Sequence, residues 1–164
     1  MLANGYRRAV ISLASNCPSR EREMGRTILV LEDNLITLGV VEAILRQAGH
    51  EVLKATNEAA ALGHVKNHFG PIELLIADAT MAGRMNGRMV RSLQESRPEM
   101  NVLFMSGYTK EDLVTRGFLD ADGVFLPKPF TVKFLRDIVD SLLARPCATI
   151  PVSVGPKLVR SSRV

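Results

Sequence analysis

The chain has 164 residues, 46% of them hydrophobic and 23% charged, which is typical of a single soluble globular domain. No apolar run reaches the roughly 20 residues that a membrane-spanning helix needs, and two cysteines are too few for a disulfide framework. The net charge of +4 comes from the two ends, since residues 27–145 carry 13 basic and 15 acidic residues. The few scattered basic residues of the ends are only a weak indication of nucleic-acid binding.

The N-terminal segment carries five Arg against two Glu over residues 1–26, and we expect it to be a disordered basic extension. Met24 is a possible start of the protein, because the regular pattern begins almost directly after it. The apolar run over residues 9–14 is short and contains Ser12. A secretory signal is therefore not expected, and a cytoplasmic location is.

The first half of the ordered chain alternates between strand and helix patterns. Strands are predicted over 27–31 and 50–55, and helices over 35–48 and 58–68. Gly49 provides a stop for the first helix, and Asn57 provides a cap for the second. Apolar residues at helical spacing form the predicted inner faces, namely Leu38, Val41, Ile44, Leu45 and Ala48, then Ala61, Leu62, Val65 and Phe69.

The second half continues the alternation. Further strands are predicted over 72–77, 101–105 and 123–126, and further helices over about 87–96, 110–118 and 130–143. The inner face of the last helix is predicted from Phe134, Ile138, Val139 and Leu142. The segment 146–164 contains three prolines and is expected to be a flexible tail.

Five apolar strands alternating with five helices predict an α/β fold with a parallel sheet covered on both faces. Right-handed crossovers favour the flavodoxin-like doubly wound (βα)5 sheet, with strand order 2-1-3-4-5. In such folds ligands bind at the carboxyl ends of the strands. The residues at those ends therefore indicate the function.

Polar residues stand at four of the five predicted strand ends. Glu32 and Asp33 follow the first strand, Asp78 the third and Ser106 the fourth, and Lys128 lies just beyond the fifth. Carboxylates gathered at one edge repel each other, and a hard cation such as Mg²⁺ relieves this repulsion. An Asp carboxylate can be a nucleophile towards phosphorus, while a lysine and a hydroxyl can bind phosphoryl oxygens. Taken singly, these residues are more typical of turns, helix caps and surface positions, and it is their combination at four strand ends that indicates a site.

Five short motifs carry a resemblance to a known family: ILVLEDN at 28–34, LIAD at 75–78, MNG at 85–87, FMSGY at 104–108 and LPKPF at 126–130. In this order they resemble the receiver domain of two-component response regulators, over about 27–145. The FMSGY motif is most similar to receivers of hybrid histidine kinases, and the length fits a single-domain form. The chain departs from the family pattern at Met81-Ala82, where Met-Pro is usual.

The resemblance implies a role for each strand-end residue. Asp78 is the implied phosphoacceptor, and Ser106 and Lys128 the implied phosphoryl-binding residues. The implied Mg²⁺ ligands are Asp33, Asp78, the backbone carbonyl of Thr80 and, through water, Glu32. Ser106 and Phe125 are the implied switch residues, while Thr80 and Tyr108 flank the site and are expected to set the phosphate lifetime. The family often has a cis bond at the position of Lys128–Pro129.

The expected function is therefore a phosphorylation-dependent signalling switch in a two-component phosphorelay. The phosphoryl donor would be a sensor histidine kinase or a histidine phosphotransfer protein, and the response would alter the helix 4–strand 5–helix 5 surface for a downstream protein partner. Such a domain catalyses only its own phosphorylation and dephosphorylation, so we do not expect an enzyme. No DNA-binding domain is expected, because 19 residues after Arg145 are too few, and no membrane contact is expected.

Other functions remain open from the residues alone. A Mg²⁺-dependent phosphohydrolase of the haloacid-dehalogenase type would need a second Asp two positions after Asp33, where Leu35 stands. A flavin binder would need a phosphate loop where the acidic pair stands. A phosphorylation-independent protein-binding module would normally have lost Asp33, Asp78 or Lys128. His64 and His68 are four residues apart on a predicted helix, but without a third ligand they are expected to be exposed helix residues.

Overall fold

The computed structural model describes residues 25–79, 81, 87–117, 119–121 and 123–144. All but two residues of the predicted N-terminal extension and the whole predicted tail lie outside the described residues, and so does Thr80. The predictions made for these segments stay predictions.

Within the described residues, five parallel strands alternate with five helices. The strands are β1 (Thr27–Leu31), β2 (Glu51–Ala55), β3 (Leu74–Asp78), β4 (Asn101–Ser106) and β5 (Phe125–Pro127). The helices are α1 (Leu35–Gln47), α2 (Glu58–Asn67), α3 (Gly87–Ser96), α4 (Lys110–Thr115) and α5 (Val132–Leu143). The sheet has the order β2-β1-β3-β4-β5, which confirms the predicted flavodoxin-like doubly wound fold.

The core forms two layers, one on each face of the sheet. Every residue of β1 and β3 is buried, as expected for central strands covered on both sides. Side chains alternate along β1, so Ile28 and Val30 join the layer under α1 and α5, while Leu29 and Leu31 join the layer under α2 and α3. The two layers hold the sheet rigidly between the helix pairs, which fixes the positions of the strand ends.

Side-chain caps define where the helices begin. The Asn34 side chain accepts hydrogen bonds from the backbone N–H groups of Ile36 and Thr37, both at 3.0 Å, and so starts α1 directly after the acidic pair. Asn57 caps α2 in the same way, as predicted, by accepting from the N–H of Ala60 at 2.9 Å. Gly49, with φ of 90°, follows α1 in the left-handed conformation that favours glycine, and confirms the predicted stop.

Four element boundaries differ from the prediction by two residues or more, namely the starts of β3, β5 and α5 and the end of α4, and the structure gives a reason for two of them. Helix α4 was predicted over 110–118 but ends at Thr115, because Gly117 adopts φ of 72° and its N–H bonds back to Val114. Strand β5 was predicted from residue 123 but begins at Phe125. The N–H of Gly123 is instead used in a turn, donating to the carbonyl of Asp120 at 2.9 Å.

Three predicted core positions were wrong. Phe69 is 98% exposed, because α2 ends at Asn67 and the extended backbone at His68 interrupts the helical spacing. Ala48 is exposed at the end of α1, and Phe134 is 45% exposed. In α5 the buried face instead comprises Leu135, Val139 and Leu142, and Ile138 packs at its border. No helix in the described part of the chain is both long and apolar enough to cross a membrane.

Candidate functional site

The strand register brings the predicted polar residues to one edge of the sheet. Leu31 pairs with Ala77, so the residues that follow them, Glu32 and Asp78, come side by side. Asp78 in turn pairs with Met105, and Ser106 pairs with Pro127, the residue before Lys128. All strands point the same way, so the ends of four strands meet at this carboxyl edge, although the residues are up to 96 positions apart in the chain.

An acidic cluster lies at the centre of this edge. Glu32, Asp33 and Asp78 each place one carboxylate oxygen within 4.8 Å of those of the other two. Glu32 and Asp78 are buried, with 0% and 4% exposure, while Asp33 is exposed to solvent. Several oxygen ligands with negative charge and one open side fit a hard divalent cation such as Mg²⁺, which prefers carboxylates and retained waters. The donor set of the cluster can therefore bind a metal.

Lys128 joins the two buried carboxylates. Its ammonium Nζ lies 2.5 Å from Glu32 Oε2 and 2.9 Å from Asp78 Oδ2. Burial opposes the charged form of Lys128, but its hydrogen bonds to Glu32 and then Asp78 outweigh this and raise the pKa of the lysine above its ordinary value. The cation is therefore firmly protonated and lies within reach of any group carried by Asp78.

Burial also disfavours the charged form of Glu32, and the loss of hydration raises the pKa of its carboxyl above the ordinary value. The hydrogen bond from Lys128 lowers this pKa, and the negative charge of Asp78 raises it. Its second oxygen, Oε1, accepts a hydrogen bond from the backbone N–H of Asn34 at 3.1 Å. Glu32 thus connects the end of β1, the start of α1 and Lys128.

Ser106 is fully buried beside the cluster, at the end of β4. Its Oγ accepts a hydrogen bond from the N–H of Tyr108 at 3.1 Å, and its carbonyl accepts one from the N–H of Lys128 at 2.7 Å. The hydroxyl proton takes no part in either contact, and a serine hydroxyl can both accept and donate. The hydroxyl proton of Ser106 is therefore available to a further oxygen acceptor at this edge of the sheet. The Lys128–Pro129 bond is cis, in agreement with the expectation from the family.

The remaining predicted residues lie around this centre. Tyr108 is 48% exposed, and the guanidinium carbon of Arg116 lies 5.1 Å from the centre of its ring, a cation–π contact. Phe125 is half-buried against a small cluster of Ala79, Leu113 and Leu119 behind the site. Thr80 lies outside the described residues.

The sequence did not reveal three contacts of this region. These are the hydrogen bond from Lys128 to Glu32, the contact of Arg116 with Tyr108, and the tie from Asn34 to Glu32. No spacing rule connects side chains across 96 positions, so only the order of the strands indicates the first. The two histidines are separate from the site: His64 Nε2 lies 2.9 Å from the carbonyl of Lys54, as fits a residue on the surface of α2.

Comparisons with known proteins agree with this geometry. The sequence of residues 28–140 matches the family model of the response regulator receiver domain. The sensor kinase CckA of Brucella abortus is 29% identical over 120 residues, which are 73% of this chain and 13% of the kinase. The receiver protein CpdR of Brucella abortus is 29% identical over 119 residues, 73% of this chain and 94% of CpdR. A solved receiver domain of the hybrid histidine kinase CckA has a TM-score of 0.60 and 31% identity, covering 71% of this chain and 98% of that one. The chain thus spans a small part of the kinase but nearly all of CpdR.

Proposed function

The chain belongs to the response regulator receiver domain family of two-component systems, and from this premise we propose that it is a phosphorylation-dependent signalling switch with Asp78 as the phosphoacceptor. The observation that supports this most directly is the position of Asp78. Its buried carboxylate lies 2.9 Å from the Lys128 ammonium, inside a cluster that can bind a metal and next to Ser106 at the adjoining strand end.

The proposed reaction is transfer of a phosphoryl group from a phosphohistidine to Asp78. A carboxylate oxygen of Asp78 attacks phosphorus, the P–N bond of the donor breaks, and the donor imidazole leaves with that electron pair. The resemblance assigns Mg²⁺ to Asp33, Asp78 and the Thr80 carbonyl, with Glu32 acting through water. When bound, the ion neutralises negative charge between the carboxylates and the phosphoryl oxygens.

The neighbouring residues of this chain complete the proposed site. Lys128 is close enough to Asp78 to bind a phosphoryl oxygen after transfer, and the Ser106 hydroxyl can bind another. A shift of Ser106 towards the phosphoryl group would open space for Phe125, which is only half-buried and borders α4. We propose that this movement carries the signal to the surface formed by α4, β5 and α5.

The proposed phosphoryl donor is a sensor histidine kinase or a histidine phosphotransfer protein, and the proposed location is the cytoplasm, where such donors meet their receivers. The site is open next to the start of α1, where Leu35 and Ile36 are 71% and 79% exposed. A donor that brings its histidine to Asp78 would cover this apolar pair. We propose that a downstream protein partner then reads the changed surface, and that the domain turns over no external substrate.

The first experiment is intact-protein mass after incubation with acetyl phosphate, with Mg²⁺ or with EDTA, for the wild type and for Asp78→Asn. We expect the wild type to gain one phosphoryl group with Mg²⁺ and none with EDTA, and the variant to gain none. A gain that persists in Asp78→Asn would place the phosphoacceptor elsewhere. Absence of any gain in a folded wild type that binds Mg²⁺ would favour a phosphorylation-independent binding module.

A further inference from the structure

We propose that Arg116 is a positioning residue, which restrains Tyr108 and, through Tyr108, opposes the shift of Ser106 towards a phosphoryl group. This regulation rests on the proposed function, because the phosphoryl group on Asp78 is the proposed cause of that shift. The family resemblance implies a role for Tyr108 in the phosphate lifetime but implies none for Arg116.

Tyr108 contacts Ser106 through its backbone. The N–H of Tyr108 donates a hydrogen bond to Ser106 Oγ at 3.1 Å, and Ser106 is fully buried at the end of β4. A single residue, Gly107, separates the two. A shift of Ser106 towards the phosphoryl group therefore either lengthens this hydrogen bond or moves the backbone of Tyr108 with it, and a restraint on Tyr108 opposes both.

Tyr108 contacts Arg116 through its ring. The guanidinium carbon of Arg116 lies 5.1 Å from the centre of the ring, within the range of a cation–π contact. None of the ion pairs among the described residues involves Arg116, so no described carboxylate competes with the ring for its charge. Tyr108 is 48% exposed, and the contact with Arg116 is therefore a restraint on a ring that the core does not enclose.

The contact joins the two ends of α4. Thr109 caps the start of the helix by accepting from the N–H of Asp112 at 3.2 Å, and Arg116 follows its last residue and donates its own N–H to the Asp112 carbonyl at 3.0 Å. Thr109 and Arg116 are about 10 Å apart along the helix axis. Side chains of a helix tilt towards its N-terminus, so Arg116 reaches back along α4 to the ring.

Packing against the sheet fixes the position of α4. A helix of six residues is not stable by itself, so its position depends on its caps and on its buried side chain. That side chain is Leu113, which is fully buried in a cluster with Ala79 and Leu119. Arg116 therefore extends from a fixed support, and its contact holds the ring of Tyr108 in one place.

An interaction that is present before phosphorylation and weakened after it stabilises the unphosphorylated state. A cation–π contact at an exposed site corresponds to a factor of about two to five in an equilibrium constant. Loss of the Arg116 guanidinium should therefore raise the population with Ser106 shifted by about threefold, and a ligand that binds this population should bind more tightly by the same factor.

The first test is a double-mutant cycle on the binding of beryllofluoride, a stable mimic of a phosphoryl group on aspartate. Its apparent affinity is measured by calorimetry at saturating Mg²⁺ for the wild type, Arg116→Gln, Tyr108→Leu and the double variant. We expect Arg116→Gln to raise the affinity about threefold. In the Tyr108→Leu background the same change should alter the affinity less than about 1.5-fold, since Arg116 then has no ring to contact.

Lys110→Gln is the matched control, because it removes the positive charge of Lys110, the basic residue of α4 itself. It should leave the affinity for beryllofluoride within about 1.5-fold of the wild type, since its ammonium is not the group that contacts the ring. An equal gain in Lys110→Gln would show a general effect of charge. A threefold gain from Arg116→Gln that persists without the ring of Tyr108 would show that Arg116 acts by another route. Either result would overturn the proposal.

The second test uses the protein in EDTA and does not depend on phosphorylation. The chain has two tyrosines and no tryptophan, so Tyr6→Phe leaves Tyr108 as the sole strong emitter. Quenching by acrylamide, which is uncharged, then measures the access to its ring. In this background Arg116→Gln should raise the quenching constant about 1.5-fold or more, because the ring loses its guanidinium cover, and Arg116→Lys should raise it less.

Ser106→Ala tests the other contact in the same assay. It removes the acceptor of the Tyr108 N–H, so it should also raise the quenching of Tyr108. Quenching that is unchanged in Arg116→Gln would show that the ring is not held by Arg116, and quenching that is unchanged in Ser106→Ala would show that Ser106 and the ring are not coupled. Each would reject the proposal. A wild type that is neither phosphorylated nor binds beryllofluoride would reject the proposed function, and the quenching would then decide the coupling by itself.

Discussion

A partly buried cation lies at each edge of the sheet, and the two are held in different ways. At the amino edge, Arg97 has an 18% exposed side chain and makes four hydrogen bonds of 2.6–3.0 Å to the backbone carbonyls of Val65, His68 and Gly70. At the carboxyl edge, Lys128 has a 22% exposed side chain and contacts the carboxylates of Glu32 and Asp78.

The difference indicates that Arg97 has a structural role, whereas Lys128 takes part in the proposed reaction. The planar guanidinium of Arg97 matches several carbonyls that cannot move away, so it fixes the end of α2 and the chain leading into β3. Lys128 is a point charge on a flexible stem, and one of its partners is the proposed site of reaction. The amino edge is therefore expected to govern stability and the carboxyl edge reactivity, and substitutions at the two edges can test this division.

The largest effect on stability is expected from Arg97→Ala. The change removes four charge-assisted hydrogen bonds and leaves three backbone carbonyls without their guanidinium donor. We expect the free energy of unfolding to fall by about 3 kcal/mol. Arg97→Lys keeps the positive charge but loses the planar array of guanidinium donors, and we expect it to lower the free energy of unfolding by about 2 kcal/mol. Urea unfolding followed by circular dichroism measures both. A loss below about 1 kcal/mol, or a changed phosphorylation rate in the folded variant, would contradict the division between the edges.

The next largest effect is expected from Lys128→Met, and it should fall on reactivity. The variant keeps the length of the side chain and removes the cation that faces Asp78, so phosphorylation by acetyl phosphate should slow about 100-fold at saturating Mg²⁺. The free energy of unfolding should also fall, by about 2 kcal/mol in EDTA, because the buried carboxylates of Glu32 and Asp78 lose the cation that they share. An unchanged phosphorylation rate in the folded variant would show that Lys128 is a structural cation like Arg97.

The carboxyl edge was largely predictable from the sequence, and the reason lies in the sheet. Polar residues follow four of the five predicted strands, and parallel strands bring their carboxyl ends together. Glu32, Asp33, Asp78, Ser106 and Lys128 could therefore be placed at one edge without any knowledge of side-chain geometry. The direct contact between Glu32 and Lys128 could not be placed in this way. It depends on the depth to which each side chain is buried, which the pattern of apolar residues does not specify.

The amino edge was not predictable to the same degree. The hydrogen bonds of Arg97 go to backbone carbonyls, which every residue has, so no residue type at positions 65, 68 or 70 indicates them. The same turn misled the prediction of Phe69, since the helical spacing was extended two residues past the true end of α2. The sequence therefore predicts sites that are built from charged or polar side chains, but it does not predict contacts in which the acceptors are backbone carbonyls.

A matched pair of charge removals should change stability in opposite directions. At the amino edge, Glu73 accepts from the backbone N–H of Thr27 at 2.8 Å and from Arg26 at 3.2 Å, so Glu73→Gln should lower the free energy of unfolding by about 1 kcal/mol. At the carboxyl edge, Asp78→Asn should raise it by about 1 kcal/mol in EDTA, because the buried charge of Asp78 repels that of Glu32. Thermal unfolding of both variants in EDTA measures this. A loss of stability in Asp78→Asn would mean that the charge of Asp78 is compensated by its partners as well as the charge of Glu73 is.

The smallest expected effect concerns pH and is located at His50, beside the amino edge. Burial lowers the pKa of His50, and Arg26 lowers it further, against the opposing charges of Asp140 and Glu73. The neutral ring accepts a hydrogen bond from the Arg26 N–H at Nδ1, at 3.4 Å, and protonation removes this acceptor. Since the unfolded chain then binds the proton more readily than the folded one, stability is full above the ordinary histidine pKa and falls as the pH drops through the lower folded value.

The loss between pH 7.5 and pH 5.5 should stay below about 1.4 kcal/mol, because only about one pH unit of this interval lies below the ordinary histidine pKa and one bound proton changes stability by at most that amount per pH unit. His50→Gln should flatten the pH dependence of the unfolding midpoint over this interval, whereas Lys128→Met should leave that slope in place. If His50→Gln keeps the full slope, the pH dependence belongs to other groups. If Lys128→Met removes it, the carboxyl edge controls acid stability as well as reactivity, and the separation of the two edges fails.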